Sequence, residues 1–327
     1  MNTTPAKPHQ IQKFSALRRH IQQTIVGQGR LVERLLVGIL ADGHILLEGL
    51  PGLAKTTAVH TLADGMSLRF KRIQFTPDLI PGDITGSDIF LAQEGRFKFI
   101  EGPIFNEIIL ADEINRAPPK VQSALLEAMQ ERQVTAAGTT RALPRVFQVI
   151  ATQNPLDQEG TYPLPEAQLD RFIMKIELSY PEPQDELEIL RRETQKLRDK
   201  EPCSTETVLS GDDILAARDG VNQIYVADLL EHYIVTLVNA TRQPQTYWPE
   251  AADWISHGAS PRATLALARC ARALAFLRQR DFIEPADVID TAQEVLNHRI
   301  GMSFAARAEG IGSRQFIEGL IERIPIP

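Results

Sequence analysis

In the first half of the chain, short apolar runs alternate with stretches of helical spacing, the pattern of a parallel sheet whose strands are joined by crossover helices. Five runs rich in β-branched or aromatic residues predict strands at 45–48, 69–75, 108–111, 147–152 and 172–177. Residues 56–63, 118–131 and 166–171 between them read as helices, with Pro118 and Pro119 suited to a first helical turn. The connection from Phe75 to Ile108 spans about 30 residues, whereas a simple crossover needs only about 10–12, so it holds an insertion. Within it, residues 87–102 read as a β-hairpin around Gln93-Glu94-Gly95, set between helical pieces. A second hairpin is expected at 132–143, turning at Ala137-Gly138. Such hairpins are either surface decoration or interaction elements.

After Leu178 the segment SYPEPQDE carries two prolines and several polar residues, a linker and helix-start signal. A domain boundary is therefore expected near Pro181, separating residues 1–180 from 181–327. Beyond it the pattern is helical, at 184–198, 211–221, 226–241, 261–278 and 285–296. Ser260 and Pro261 fit an N-cap and first helical residue, and Leu267, Cys270, Ala271, Leu274 and Leu277 share one helical face that reads as core. The expected fold class is α/β, a five-stranded parallel αβα core followed by a smaller all-helical C-terminal domain.

The length of 327 residues suits two domains at about 150 residues each. With 43% hydrophobic and 24% charged residues, disordered and fibrous classes are excluded. The 35 Lys and Arg face 42 Asp and Glu, and the net charge of −7 gives no general attraction to nucleic acid or an anionic membrane. The apolar run 35–41 is far short of the roughly 20 residues that span a bilayer. The N-terminus lacks an apolar leader region and a small-residue cleavage site, so the cytoplasm is the expected compartment. Cys203 and Cys270 have no metal-ligand spacing and read as reduced, mostly buried thiols. Arg269, Arg272, Arg278 and Arg280 read as a solvated helix face.

The strongest chemical signal is GLPGLAKT, residues 49–56, which follows an apolar strand and opens a helix. Glycines there let backbone N–H groups turn inward onto phosphate oxygens, and the helix adds its positive N-terminal dipole. The candidate phosphate-binding residues are Gly49, Leu50, Pro51, Gly52, Leu53, Ala54, Lys55, Thr56 and Thr57. Lys55 supplies a point charge for the β- and γ-phosphates and Thr56 a hydroxyl ligand for Mg²⁺. Ala54 stands where the usual pattern has glycine. A second signal, IILADEINR at 108–116, ends a strand with two adjacent carboxylates. Asp112 is expected to hold Mg²⁺ and Glu113 to polarise the attacking water as general base. An acidic pair at a strand end is commonly just solvated; its place roughly 55 residues after a phosphate loop changes that reading.

Together these stretches resemble the MoxR family of AAA+ ATPases over nearly the whole chain. The matching segments are IVGQ (25–28), GLPGLAKT, FTPDLIPGDITG (75–86), EGPIFNEIILADEINRAPPKVQSALLEAMQE (101–131), ATQNP (151–155), LPEAQLDRF (164–172) and GASPRA (258–263). The long insertion fits the same clade, which resembles magnesium chelatase and MCM motors in carrying a hairpin within its second helix. The resemblance implies a P-loop NTPase core with a helical lid, using ATP and Mg²⁺. It further implies that Asn154 is the sensor-1 residue holding the attacking water with Glu113. It implies that Arg171 is an arginine finger reaching the γ-phosphate held by a neighbouring subunit, a role that suits a planar, permanently charged guanidinium. Arg262 takes the sensor-2 position, with action in its own or a neighbour's site left open. Val26, Gly27 and Gln28 resemble the adenine-side segment; Arg116 serves either a subunit interface or an internal salt bridge. The family implies a homo-oligomeric, hexameric ring and chaperone-like remodelling, maturation or cofactor insertion of partner proteins, with a von Willebrand factor A-domain protein as a possible partner. Two other functions stay open: a DNA-translocating motor, and a nucleotide-gated scaffold with little turnover.

Overall fold

The structure, a computed structural model, describes residues 8–50, 52–53, 55–136, 138–155, 160–199 and 209–327. Pro51, Ala54, Ala137 and Cys203 lie outside the described residues. Helices α1 (Pro8–Thr24) and α2 (Gly29–Leu40) precede β1 (Ile45–Gly49). Then come α3 (Lys55–Asp64), β2 (Phe70–Gln74), α4 (Pro81–Thr85), the hairpin β3 (Gly86–Leu91) and β4 (Arg96–Glu101), and β5 (Ile108–Asp112). These are followed by α5 (Pro119–Glu131), the hairpin β6 (Gln133–Ala136) and β7 (Thr139–Ala142), β8 (Gln148–Gln153), α6 (Glu166–Leu169) and β9 (Met174–Leu178). The remainder is helical: α7 (Pro183–Asp199), α8 (Gly211–Asn222), α9 (Asp228–Ala240), α10 (Pro261–Leu277), α11 (Pro285–Leu296), α12 (Phe304–Ala308) and α13 (Ser313–Arg323). Within it, residues 255–257 and 301–302 form a short antiparallel strand pair.

The five strands form one parallel sheet in the order β2-β5-β8-β1-β9. Successive side chains in a strand point to opposite faces, and the core divides accordingly. Ile45 and Leu47 of β1 and Ile108 and Leu110 of β5 join the cluster that holds α1, α2, α3 and the C-terminal helices. Leu46, Ile109, Ala111, Val149 and Ala151 face the other cluster, built with α4 and α5. Both expected hairpins form, and the one at 86–101 sits between the helical pieces α4 and 103–105 as its sequence suggests. Helices α1 and α2 are additional to the elements read from the sequence.

In α10, Ser260 caps the helix by accepting from the Arg262 N–H at 3.2 Å. Leu267, Cys270, Ala271 and Leu274 are fully buried, while Leu277 is only partly so. Burial pushes the Cys270 thiol up to about 12. The expected solvated arginine face does not hold as a unit. Arg278 pairs with Asp287 at 2.8 Å and Asp290 at 2.6 Å, and Arg280 with Asp287 at 2.6 Å. These arginines close the α10–α11 corner over a fully buried Asp287, which would otherwise be an uncompensated charge. Among the described residues no helix is long and apolar enough to cross a membrane.

Candidate functional site

In a parallel sheet every strand ends at the same edge, so the residues just past β1, β5 and β8 are brought together. β8 lies between β5 and β1, which puts Asn154 between the acidic pair and the phosphate loop. Gly49 ends β1 against Leu178, and a Cβ at Gly49 would meet the Leu178 Cβ at 2.9 Å. Gly52 has φ +87°, a left-handed conformation that favours glycine. The side chain of Lys55 lies across the root of this loop, donating to the Gly49 carbonyl at 2.6 Å and to the Gln153 carbonyl at 3.4 Å. Thr56 and Thr57 occupy the first turn of α3, Thr56 half-buried and Thr57 exposed, while Leu50 is half-buried and Leu53 packs inward.

Asp112 is nearly buried at the end of β5. Its Oδ1 accepts from the Thr152 hydroxyl at 2.6 Å and its Oδ2 from Arg72 Nε at 3.0 Å. Glu113 leaves the strand with φ 57° and ψ 49°, a left-handed conformation that costs a non-glycine residue about 1–2 kcal/mol. The turn is held by the Glu113 N–H, which donates to the same Thr152 hydroxyl at 2.9 Å. The Glu113 carboxylate accepts from Gln74 Nε2 at 2.8 Å and pairs with Arg116 Nε at 3.1 Å. Arg116 thus forms the internal salt bridge, one of the two roles open to it. The two carboxylates are therefore oriented differently, as expected of adjacent residues at a strand end. Thr152, Gln74 and Arg72 belong to this constellation and were not singled out by the sequence, where each reads as an ordinary strand residue.

Gln28 donates to the Ser179 carbonyl at 3.4 Å, beyond the end of β9. With Gly27 it borders a polar cleft of about 290 Å³ shared with Leu178, Gln293, Asn297 and Arg314. Gly27 has φ +74°, and a Cβ there would meet Asp185 Oδ2 at 2.6 Å. Val26 is half-buried beside it. Because Leu178 pairs with Gly49, this cleft adjoins the phosphate loop.

Arg171 and Arg262 sit elsewhere. Leu178 is level with Gly49 and Met174 with Ile45, a span of roughly 13 Å at about 3.3 Å per residue, and Arg171 lies beyond Met174, lining a pocket with Asp42 and His44 at the opposite end of β1. No arginine side chain spans that distance. Arg171 Nη1 donates to the Leu126 carbonyl at 2.7 Å, and its Nε is buried without a partner. Arg262, half exposed, has Nη1 3.7 Å from Asp170 Oδ2. Arg171, Arg262 and Arg269 line one pocket of about 360 Å³ with Asp170 and Arg299. Asp170 is engaged by Arg299 Nε at 2.7 Å and Ser260 Oγ at 2.9 Å, so this edge of the sheet is strongly cationic. Among the described residues, no group of three or more His, Cys, Asp or Glu could hold a metal ion.

Comparison with known proteins identifies the family. The model of the ATPase family associated with various cellular activities (AAA) matches residues 44–174, and that of the AAA lid domain matches 250–320. Chaperone MoxR1 of Mycobacterium tuberculosis is 46% identical over 308 residues, covering 94% of this chain and 80% of that protein. Protein MoxR of Paracoccus denitrificans is 30% identical, covering 96% of each chain. The crystal structure of a Cytophaga hutchinsonii protein assigned as an ATPase superimposes with a TM-score of 0.91 at 47% identity, covering 97% of this chain and 96% of that one. The AAA and AAA lid models, together with relatives similar along almost the full length of the chain, make it a nucleotide-binding ATP hydrolase that belongs to the MoxR family of AAA+ ATPases.

Proposed function

We propose that ATP is hydrolysed in a Mg²⁺-dependent reaction at the seams of a ring of identical chains, a hexamer as the family resemblance implies. Residues 1–180 act as the nucleotide-binding core and 181–327 as the lid. Each site combines Lys55, Thr56, Asp112, Glu113 and Asn154 of one chain with Arg171 and Arg262 of the next. The observation that supports this reading is the separation of the two sets at opposite ends of the sheet, with the full strand length of roughly 13 Å between Arg171 and its own phosphate loop. The companionship of Arg262 with Arg171 supports action on the neighbour's nucleotide as well.

In this scheme Lys55 and the N-terminus of α3 hold the β- and γ-phosphates. Val26, Gly27 and Gln28 lie against the base. Glu113 takes the proton of a water that Asn154 helps to hold, and the two arginines offset charge on the transferred phosphoryl group. The Thr56 hydroxyl and the Asp112 carboxylate are hard oxygen donors, of the kind that hold Mg²⁺ together with substrate phosphates and water. Three of the roughly four lone-pair sites of Asp112 are taken, one by Thr152 and two by Arg72, which leaves one for that role unless Arg72 yields its place. When bound, the ion supplies charge neutralisation at the β- and γ-oxygens. The work done is chaperone-like remodelling, maturation or cofactor insertion of partner proteins, with a von Willebrand factor A-domain protein among them and the cytoplasm as the compartment.

The test is complementation. Glu113→Gln is expected to bind ATP without turnover, and Arg171→Ala to be inactive at every seam. Mixed assemblies of the two should regain phosphate release where an intact Glu113 meets an intact Arg171. No recovery at any ratio, with co-assembly verified by pull-down of a tagged chain, would overturn the shared site.

A further inference from the structure

The turn that carries Arg171 is gripped by one side chain from the C-terminal half. Helix α6 stops at Leu169 and β9 begins at Met174; between them the N–H groups of Asp170, Arg171 and Phe172 close local turns and that of Ile173 donates to the His44 carbonyl at 2.8 Å. Arg299, just past α11, is 6% exposed. Its guanidinium has five N–H donors, and every one is used. Nε donates to Asp170 Oδ1 at 2.7 Å; Nη2 donates to the Asp170 carbonyl at 3.3 Å and the Phe172 carbonyl at 2.6 Å. Nη1 donates to the Ile173 carbonyl at 3.1 Å and to the Val295 carbonyl of α11. Four of these five bonds grip the turn on both sides of Arg171, and none goes to Arg171 itself. Neighbouring side chains add to the grip, with His298 Nε2 3.0 Å from the Phe172 carbonyl and Asn297 donating to the Lys175 carbonyl at 3.2 Å.

Packing alone does not require such an arrangement. A buried guanidinium is tolerated only when its donors are met, and well-packed apolar residues commonly stabilise a core as well or better. What a planar five-donor fork adds is a fixed backbone geometry. The Arg171 side chain touches the Leu126 carbonyl and has a buried, unpartnered Nε, so its aim depends on the turn behind it.

We propose that Arg299 is a positioning residue that aims Arg171 at the nucleotide of the neighbouring copy and ties that aim to the lid. This rests on the shared-site reading, and the experiment separates the two. Arg299→Lys keeps the charge and loses the fork. ATP affinity in its own site, at the far end of the sheet, is expected to stay unchanged, while kcat falls on the order of 10²-fold, as displacement of a reacting group by about 1 Å can produce. Mixed with Glu113→Gln, the Arg299→Lys chain should regain turnover, because it contributes an intact phosphate loop and acidic pair and borrows a correctly aimed arginine. A general folding defect would not be rescued in this way. Asp170→Asn, which removes the carboxylate but leaves the carbonyl, provides the same test should Arg299→Lys fail to fold, and gives the same outcomes. Turnover at the level of the unaltered protein, or failure of rescue while the Arg171→Ala and Glu113→Gln mixture recovers, overturns the positioning role. If neither mixture recovers, the shared site falls and this inference falls with it.

Discussion

The hydroxyl of Thr152 donates to Asp112 Oδ1 and accepts from the Glu113 N–H, so one side-chain oxygen sets the relative position of both carboxylates. Thr152→Val conserves shape and leaves a buried acceptor and a strained N–H unpaired. It is expected to cost about 1–3 kcal/mol in urea unfolding. ATP turnover should fall by at least about tenfold, since the acidic pair loses its fixed geometry, whereas Thr152→Ser should stay close to the parent. Equal turnover in the valine variant would show that the pair is held by other contacts. At this scale the sequence was only partly legible. Lys55, Asp112 and Glu113 announce themselves by residue type and spacing, because phosphate and water chemistry admit few substitutes. Thr152, Gln74 and Arg72 carry no such mark, since a β-branched or polar residue inside a strand is common for reasons unrelated to a site. Nor does any pattern foretell the left-handed backbone of Glu113, a conformation that composition would assign to glycine or asparagine.

Among elements, the hairpin of β3 and β4 stands on two glycines. A Cβ at Gly86, which has φ +88°, would lie 2.3 Å from the Ile100 carbonyl oxygen, and one at Gly102 would lie 2.2 Å from that of Ile84. The two feet of the hairpin therefore meet backbone to backbone. Gly102→Ala must push them apart, and the expected result is faster trypsin cleavage at Arg96 and Lys98 in the exposed β4, read as fragments by mass spectrometry. An unchanged cleavage rate would mean that the feet relax without loss. The hairpin itself was legible, because an over-long connection held two alternating runs around a turn. The five core strands were legible for the same reason, being short, apolar and punctuated. Helix α2 was legible but not read: its apolar residues recur at 31, 32, 35, 36, 39 and 40, the spacing of one helical face, and the run 35–41 was weighed only against the length of a membrane span. The lid arginines misled in the opposite sense. Basic residues at helical spacing look solvated until Asp287 and Asp290, on the next helix, are found facing Arg278 and Arg280.

For the molecule as a whole, two buried histidines tie stability to pH. Burial holds His44 down to about 4, with its Nδ1 accepting from the Val149 N–H, and burial also holds His298 well below its ordinary value. The unfolded chain takes up these protons first, so the stabilisation is complete above about pH 6.5 and is lost as pH falls from there towards 4. Asp213, held down to about 2 by Lys13 at 2.8 Å, extends the loss in the same direction at lower pH. Urea unfolding at pH 7.5, 6.5 and 5 should show a monotonic decline approaching about 1.4 kcal/mol per pH unit for each histidine, with a shallower slope in His44→Gln. A flat profile would mean that the buried imidazoles titrate as they do in the unfolded chain. Length and the alternation of apolar runs had indicated a two-part α/β molecule, and chain order already set Lys55 after one strand and Arg171 before another; what it left open is that these two strands are neighbours, which the pairing of β1 with β9 supplies. The separation of the two residues has a geometric corollary. Under the shared-site proposal, a twofold pair completes its sites only by laying the front of each copy against the back of the other within a single self-complementary face. A procession in one rotational sense, each molecule presenting its front to the back of the next, asks for one such contact at a time, and the last idle end disappears if the procession closes on itself.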